Sequence, residues 1–273
     1  MTTSHPPSQP LYGFHALRDE MVPMRDGVRL ATDIYRPAID GERVAGPLPV
    51  ILGRTSYDKT WPELWVEPVA NFFTPKGYAV VLQDQRGRSA SEGMGQYHHT
   101  ANPLEGQDGY DTVEWLAQQD WCTGQIGTLG SSHPPITPTQ LPLPKPPHLA
   151  AMWVEAGPTN IYRHEAREGG EMSLQMFGAA HLHALDSHEV GGDPEKARVI
   201  LDAMRDMREW LQKFPLKPGE TALRVAPDLE KTVFDYYYRG EYDEWWAQEA
   251  ANQEPFFELG HHADVPMTVS CGW

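Results

Sequence analysis

The residues with the clearest capacity for chemistry are Gly130-Ser131-Ser132-His133-Pro134. They follow a short apolar run and precede what the pattern predicts as a helix start. In that strand–turn–helix setting a G-x-S-x-G turn lifts the serine hydroxyl above a sheet, where it can attack a carbonyl carbon. The same turn aims the backbone N–H of the next residue, here His133, at the oxyanion that develops. Ser132 is therefore a candidate nucleophile, and the His133 N–H a candidate oxyanion donor. Gly-x-Ser alone is a common triplet, and Ser131 and Ser132 could equally cap the next helix. Pro134 stands where the motif has its second glycine.

Other residue types point to no second chemistry. The histidines at His98-His99, His181-Leu182-His183, His188-Glu189 and His261-His262 invite a metal reading, but none forms an H-E-x-x-H helix. We expect no metal and no cofactor. Cys122 and Cys271 are the two cysteines, and they make no C-x-x-C pair, so a disulfide framework is not expected either. The formal net charge of −16 argues against nucleic acid, whose phosphates need Lys and Arg, and against docking on anionic membranes. The first residues show neither a basic n-region nor an apolar h-region, and no run approaches the roughly 18 apolar residues of a membrane span, so the expected location is the cytoplasm. Nothing in the sequence fixes an oligomeric state.

The elements that must position Ser132 follow from periodicity. Residues 1–16 read as a loose leader. Strand-like runs at 19–24 and 28–35 flank Arg25-Asp26-Gly27, a hairpin signal, and 37–47 read as a loop. Apolar runs at 48–52, 78–83, 124–130 and 148–155 read as buried strands. Helical patterns near 62–75 and over 108–119 lie between them. That alternation predicts an α/β fold with a mainly parallel sheet covered on both faces. It stops after Glu155. Residues 158–260 are read as a helical insert, with helices over 194–213 and 242–253, and 264–271 as a return strand. The insert's tryptophans, with Trp153, read most simply as core or interface aromatics.

Several segments, taken in order, carry a resemblance. They are Met24-Arg25-Asp26-Gly27-Val28-Arg29-Leu30, Arg54-Thr55-Ser56-Tyr57-Asp58-Lys59, Gly77-Tyr78, and Gln83-Asp84-Gln85-Arg86-Gly87-Arg88-Ser89. Next come Asp108-Gly109-Tyr110-Asp111-Thr112-Val113-Glu114-Trp115-Leu116, Gly130-Ser131-Ser132, Pro146-Pro147-His148-Leu149 and Cys271-Gly272-Trp273. As a set they resemble the cocaine-esterase and X-Pro dipeptidyl-peptidase group of α/β-hydrolases. The resemblance implies an α/β-hydrolase core begun by residues 1–157, a helical cap insert over 158–260, and a core strand resumed in 261–273. It implies an acyl ester of Ser132 as intermediate, with the Tyr57 hydroxyl serving the oxyanion beside the His133 N–H. The substrate would be a small ester or amide, or a short X-Pro-type peptide. Asp84 and Arg86 would shape a loop, Asp111 and Glu114 would stabilise a helix N-terminus, and His181 and His183 would face an acyl pocket or solvent.

Two departures qualify the resemblance. The acid and histidine of a Ser…Asp…His order come after the insert, the acid two residues beyond the Gly-Trp pair, whereas Gly272-Trp273 are the last residues here. The sequence is thus expected to be a piece ending before those two residues and before the family's C-terminal β-sandwich. The alternative reading is a non-catalytic remnant that binds an acyl compound without turnover. Secondly, Pro134, Pro135, Pro138, Pro142 and Pro144 crowd the stretch after the nucleophile. Proline costs about 3 kcal/mol inside a helix, so a regular helix is not expected there.

Overall fold

The computed structural model describes residues 9–94, 104–131, 139–155, 157–205 and 207–271. The strands are β1 (Gly13–Pro23), β2 (Arg29–Ile39), β3 (Glu42–Arg43), β4 (Leu48–Thr55), β5 (Ala79–Asp84), β6 (Cys122–Ser131) and β7 (Leu149–Glu155). A two-strand hairpin, β8 (Arg167–Glu168) and β9 (Glu171–Met172), stands apart, and β10 (Met267–Ser270) returns to the main sheet. Every residue of β5 is buried, as expected for a strand covered on both faces. The main sheet runs β1-β2-β5-β4-β6-β7-β10, with β3 paired to β2. The β5-β4-β6-β7-β10 part is parallel, and the β1–β2–β5 pairings are antiparallel. This is the mainly parallel sheet of an α/β fold that the alternation predicted, in keeping with the α/β-hydrolase core that the resemblance implied.

The hairpin turn falls at Arg25–Gly27 as expected, with Gly27 at φ 86° taking the left-handed conformation. The expected leader is shorter than sixteen residues, because β1 starts at Gly13. It pairs Gly13 with Ala38, which draws part of the expected 37–47 loop into the sheet.

Two apolar layers sandwich the sheet. On one face Val50, Leu52, Val81, Ile126 and Met152 pack with Val113 and Leu116 of the helix Glu105–Ala117. On the other, Tyr35, Val80 and Leu82 pack with Trp65 and Ala70 of the π-helical run Pro62–Ala70. Gly53 fits closely there: a Cβ would sit 3.1 Å from Leu82 Cδ2 and 3.2 Å from the Trp65 ring, so those side chains would have to give way.

Between β7 and β10 the chain is mostly helical, with helices Gln175–Leu185, Pro194–Arg205, Met207–Leu211, Pro227–Tyr238 and Glu254–Glu258. Phe177, Phe234, Tyr236 and Trp246 form the centre of a separate apolar cluster drawn entirely from this part of the chain. The helix expected over 242–253 is absent, and that stretch makes turns. Asp243 caps the first of these turns: its carboxylate accepts from the backbone N–H groups of Trp245 (3.1 Å) and Trp246 (3.3 Å). No helix among the described residues is long and apolar enough to cross a membrane.

Candidate active site

Strands β4, β5 and β6 run side by side in one direction, so the segments that leave them open at one edge. Gly53 pairs with Leu129 across β4 and β6, and each strand ends two residues later, at Thr55 and Ser131. Tyr57 follows β4 by two residues. Ser132 and His133, which follow β6, lie outside the described residues. At such an edge open α/β sheets bind their ligands.

The Tyr57 loop is tied down at several points. The Tyr57 N–H donates to Thr55 Oγ1 (2.9 Å), and the same hydroxyl donates to the Tyr57 carbonyl (3.1 Å). The Gln85 N–H donates to the Thr55 carbonyl (2.8 Å), and the Lys59 N–H donates to Asp84 Oδ1 (2.7 Å). Both join the loop to the end of β5. Lys59 Nζ then reaches Asp19 (2.7 Å), Asp84 (3.1 Å) and Asp33 (3.6 Å). Burial by itself would lower the ammonium's pKa, but Asp84, Asp19 and Asp33 outweigh it and hold Lys59 protonated well above its ordinary range. Burial pushes the Asp84 carboxyl up to about 6, against the pull of Lys59.

A second buried network ties the neighbouring loop. Arg86 grips Asp108 through two bonds (2.9 and 2.7 Å) and reaches Asp26 (2.8 Å). Arg54 pairs with Glu105 and donates to Gln83 (2.7 Å). Asp84 and Arg86 therefore shape the loop after β5, as the resemblance implied. Asp111 and Glu114 do not serve a helix N-terminus, because the helix already starts at Glu105. Asp111 instead pairs with Arg25 in the hairpin turn (2.7 Å), and Glu114 takes His148 Nδ1 (2.8 Å).

The segment from Thr139 onward is clamped by the same helix. Gln140 and Leu141 press on it so closely that a Cβ on Gly106 would lie 2.9 Å from the Gln140 carbonyl oxygen, and one on Gly109 2.9 Å from Leu141 Cδ1. From Leu141 to Pro144 the chain turns rather than continuing as a helix, in keeping with its prolines.

The sequence model of the family described as X-Pro dipeptidyl-peptidase (S15 family) matches residues 26–273. The chain belongs to this family. It is 41% identical over 262 residues to a cocaine esterase of Rhodococcus sp., a match covering 93% of this chain and 43% of that protein. The chain thus spans less than half the length of this curated relative. Among solved structures it resembles a CocE/NonD family hydrolase from Staphylococcus aureus, with a TM-score of 0.63, 22% identity, and coverage of 94% of this chain and 46% of that one. It also resembles an α-amino acid ester hydrolase, with a TM-score of 0.64, 22% identity, and coverage of 98% and 44%. These structural likenesses confirm the α/β-hydrolase fold.

Within this S15 frame the structure adds a neighbour to Tyr57 that sequence reasoning did not connect with it. His183, from the helix Gln175–Leu185, stacks its ring on the phenol, with centroids 4.9 Å apart and planes at 27°. His181 and His183 were expected to face an acyl pocket or solvent. Both are buried, because the helix turns them inward. His181 stacks on Trp210 (5.1 Å) and places Nδ1 2.6 Å from the Phe177 carbonyl oxygen. The sequence signal for His183 was only a His-x-His pair, which carries no information about a partner in the core. Of the aromatics expected in cores or interfaces, Trp246 is fully buried, whereas half of Trp153 is exposed on the sheet. Among the described residues no cluster of three His, Cys, Asp or Glu could hold a metal ion.

Proposed function

We propose that this chain supplies the nucleophile side of a serine hydrolase acting on a small ester or amide, or on a short X-Pro-type peptide. Ser132 Oγ attacks the substrate carbonyl, its proton passes to a general base, and the leaving group departs to give an acyl-Ser132 ester that water then hydrolyses. The Tyr57 hydroxyl and the His133 N–H share the oxyanion. The observation that carries this reading is the register of β4 and β6: Gly53 pairs with Leu129, so the segments that carry Tyr57 and Ser132 leave adjacent parallel strands at one edge. The tied-down loop beneath Tyr57 supports it, since an oxyanion donor gains most when it need not reorganise during the reaction.

The reading is tested with p-nitrophenyl esters and the full-length gene product. A burst of p-nitrophenol matching the enzyme concentration is expected, and its loss in Ser132→Ala. A burst that survives in Ser132→Ala would assign the nucleophile elsewhere.

A further inference from the structure

We propose that His183 is a positioning residue for Tyr57: its imidazole is the flat seat that fixes where the phenol, and hence the hydroxyl, points. The inference rests on the reading of Tyr57 as the oxyanion donor.

Three observations carry it. The first is the contact itself. His183 presents its ring face to the phenol at 4.9 Å and 27°, while Trp61 meets the same phenol edge-on at 6.4 Å and 89°. A flat seat and an edge together define the plane of the tyrosine ring. They leave its backbone to the Thr55 and Lys59 bonds already described.

The second is that the seat is itself fixed. His183 is 1% exposed, so its ring has no freedom to swing into solvent. Its carbonyl accepts a hydrogen bond from Arg88 Nη1 at 2.7 Å. The same Arg88 pairs with Asp186 at 3.3 Å, and the Ser89 N–H donates to the Asp186 carbonyl at 3.4 Å. Arg88 and Ser89 belong to the loop after β5, which is also joined to the Tyr57 loop through Gln85 and Asp84. The helix from the insert is therefore registered against the same loop that holds Tyr57.

The third is orientation. The two ring planes lie within 27° of each other, so the imidazole limits the tilt that the phenol can take. A histidine used this way acts by keeping the tyrosine aimed, and a small misplacement of a catalytic group can lower turnover by up to about a hundredfold.

The test compares ring plane with volume in a cycle. His183→Leu removes the plane and retains the bulk; His183→Phe restores the plane. With a p-nitrophenyl ester, His183→Leu should lower kcat about tenfold with KM within about twofold, and His183→Phe should recover most of it. In a Tyr57→Phe background, where the hydroxyl is already gone, His183→Leu should cost no further kcat. If His183→Leu does not fold, Arg88→Lys carries the same comparison, because it loosens the carbonyl anchor and leaves the ring. It should lower kcat about threefold with Tyr57 present and not at all in Tyr57→Phe. Equal losses in both backgrounds, or an unchanged kcat in the single variant, would overturn the proposal while leaving Tyr57 as donor. A Tyr57→Phe variant with wild-type kcat would overturn the underlying reading, and this inference with it.

Discussion

The edge of the sheet and the helical stretch between β7 and β10 fill their interiors with opposite chemistry. Around Tyr57 the buried groups are charged: Asp33, Arg54, Lys59, Asp84, Arg86 and Asp108 all have almost no solvent contact. In the insert the buried centre is aromatic, built from Phe177, Phe234, Tyr236 and Trp246. The difference is one of precision. A charge-assisted hydrogen bond fixes a named atom at a set distance and angle, so a network of them holds a loop to a geometry. An aromatic cluster rewards filled volume and accepts several tilts. The loops that leave β4 and β5 are held in the first way, and the helices between β7 and β10 in the second.

The comparison breaks most visibly at Lys59. Replacing it with Met leaves Asp84 and Asp33 buried beside an apolar stem, and should cost about 3–5 kcal/mol in denaturant unfolding. A cost below 1 kcal/mol would mean that this network does not hold the edge.

Glu165, in the insert, gives the next effect. The residue is partly exposed, but its Oε2 is buried, and burial pushes the carboxyl from its ordinary 4.5 to about 7. A folded-state pKa above the unfolded value means the native state holds the extra proton. Stability should therefore fall as pH rises from about 4.5 through 7, by on the order of 1–3 kcal/mol. Glu165→Gln should remove that slope, and melting curves across this pH range for both proteins decide it.

A gentler probe of the aromatic core is Phe177→Leu. Volume-tolerant packing predicts a loss of about 1–1.5 kcal/mol. It also predicts that the β4 and β5 amides keep their hydrogen-exchange protection. At the small end, Lys231→Ala removes an exposed i,i+4 pair with Asp235 (2.8 Å) and should change stability by only about 0.3–0.5 kcal/mol.

Legibility from sequence divides along the same line. The β5 run and the Asp26-Gly27 turn signal their structures locally, since period, burial and turn chemistry are properties of neighbouring residues. The helix Glu105–Ala117 begins three residues before its apolar pattern does, because Glu105 and Gly106 look like loop residues until Arg54 and Gln140 are placed against them. The fold of the insert was harder. Residues 242–253 carry a helical pattern and strong helix formers, yet the chain there makes turns. At the site, Ser132 and Tyr57 stood out through motif and family likeness. Nothing in the spacing of Arg86, Asp26 and Asp108 announces that they meet, and nothing pairs His183 with Tyr57. Those contacts are made by topology, which brings distant loops to one edge.

The central claim is that Ser132 is the nucleophile and that Tyr57 serves its oxyanion. Fluorophosphonate labelling of the full-length protein, followed by peptide mass mapping, tests it most directly. The account predicts one adduct, on Ser132, and labelling slowed about a hundredfold in Tyr57→Phe, because the phosphonyl oxygen occupies the oxyanion position. An adduct on any other residue, or a labelling rate indifferent to Tyr57→Phe, would contradict it.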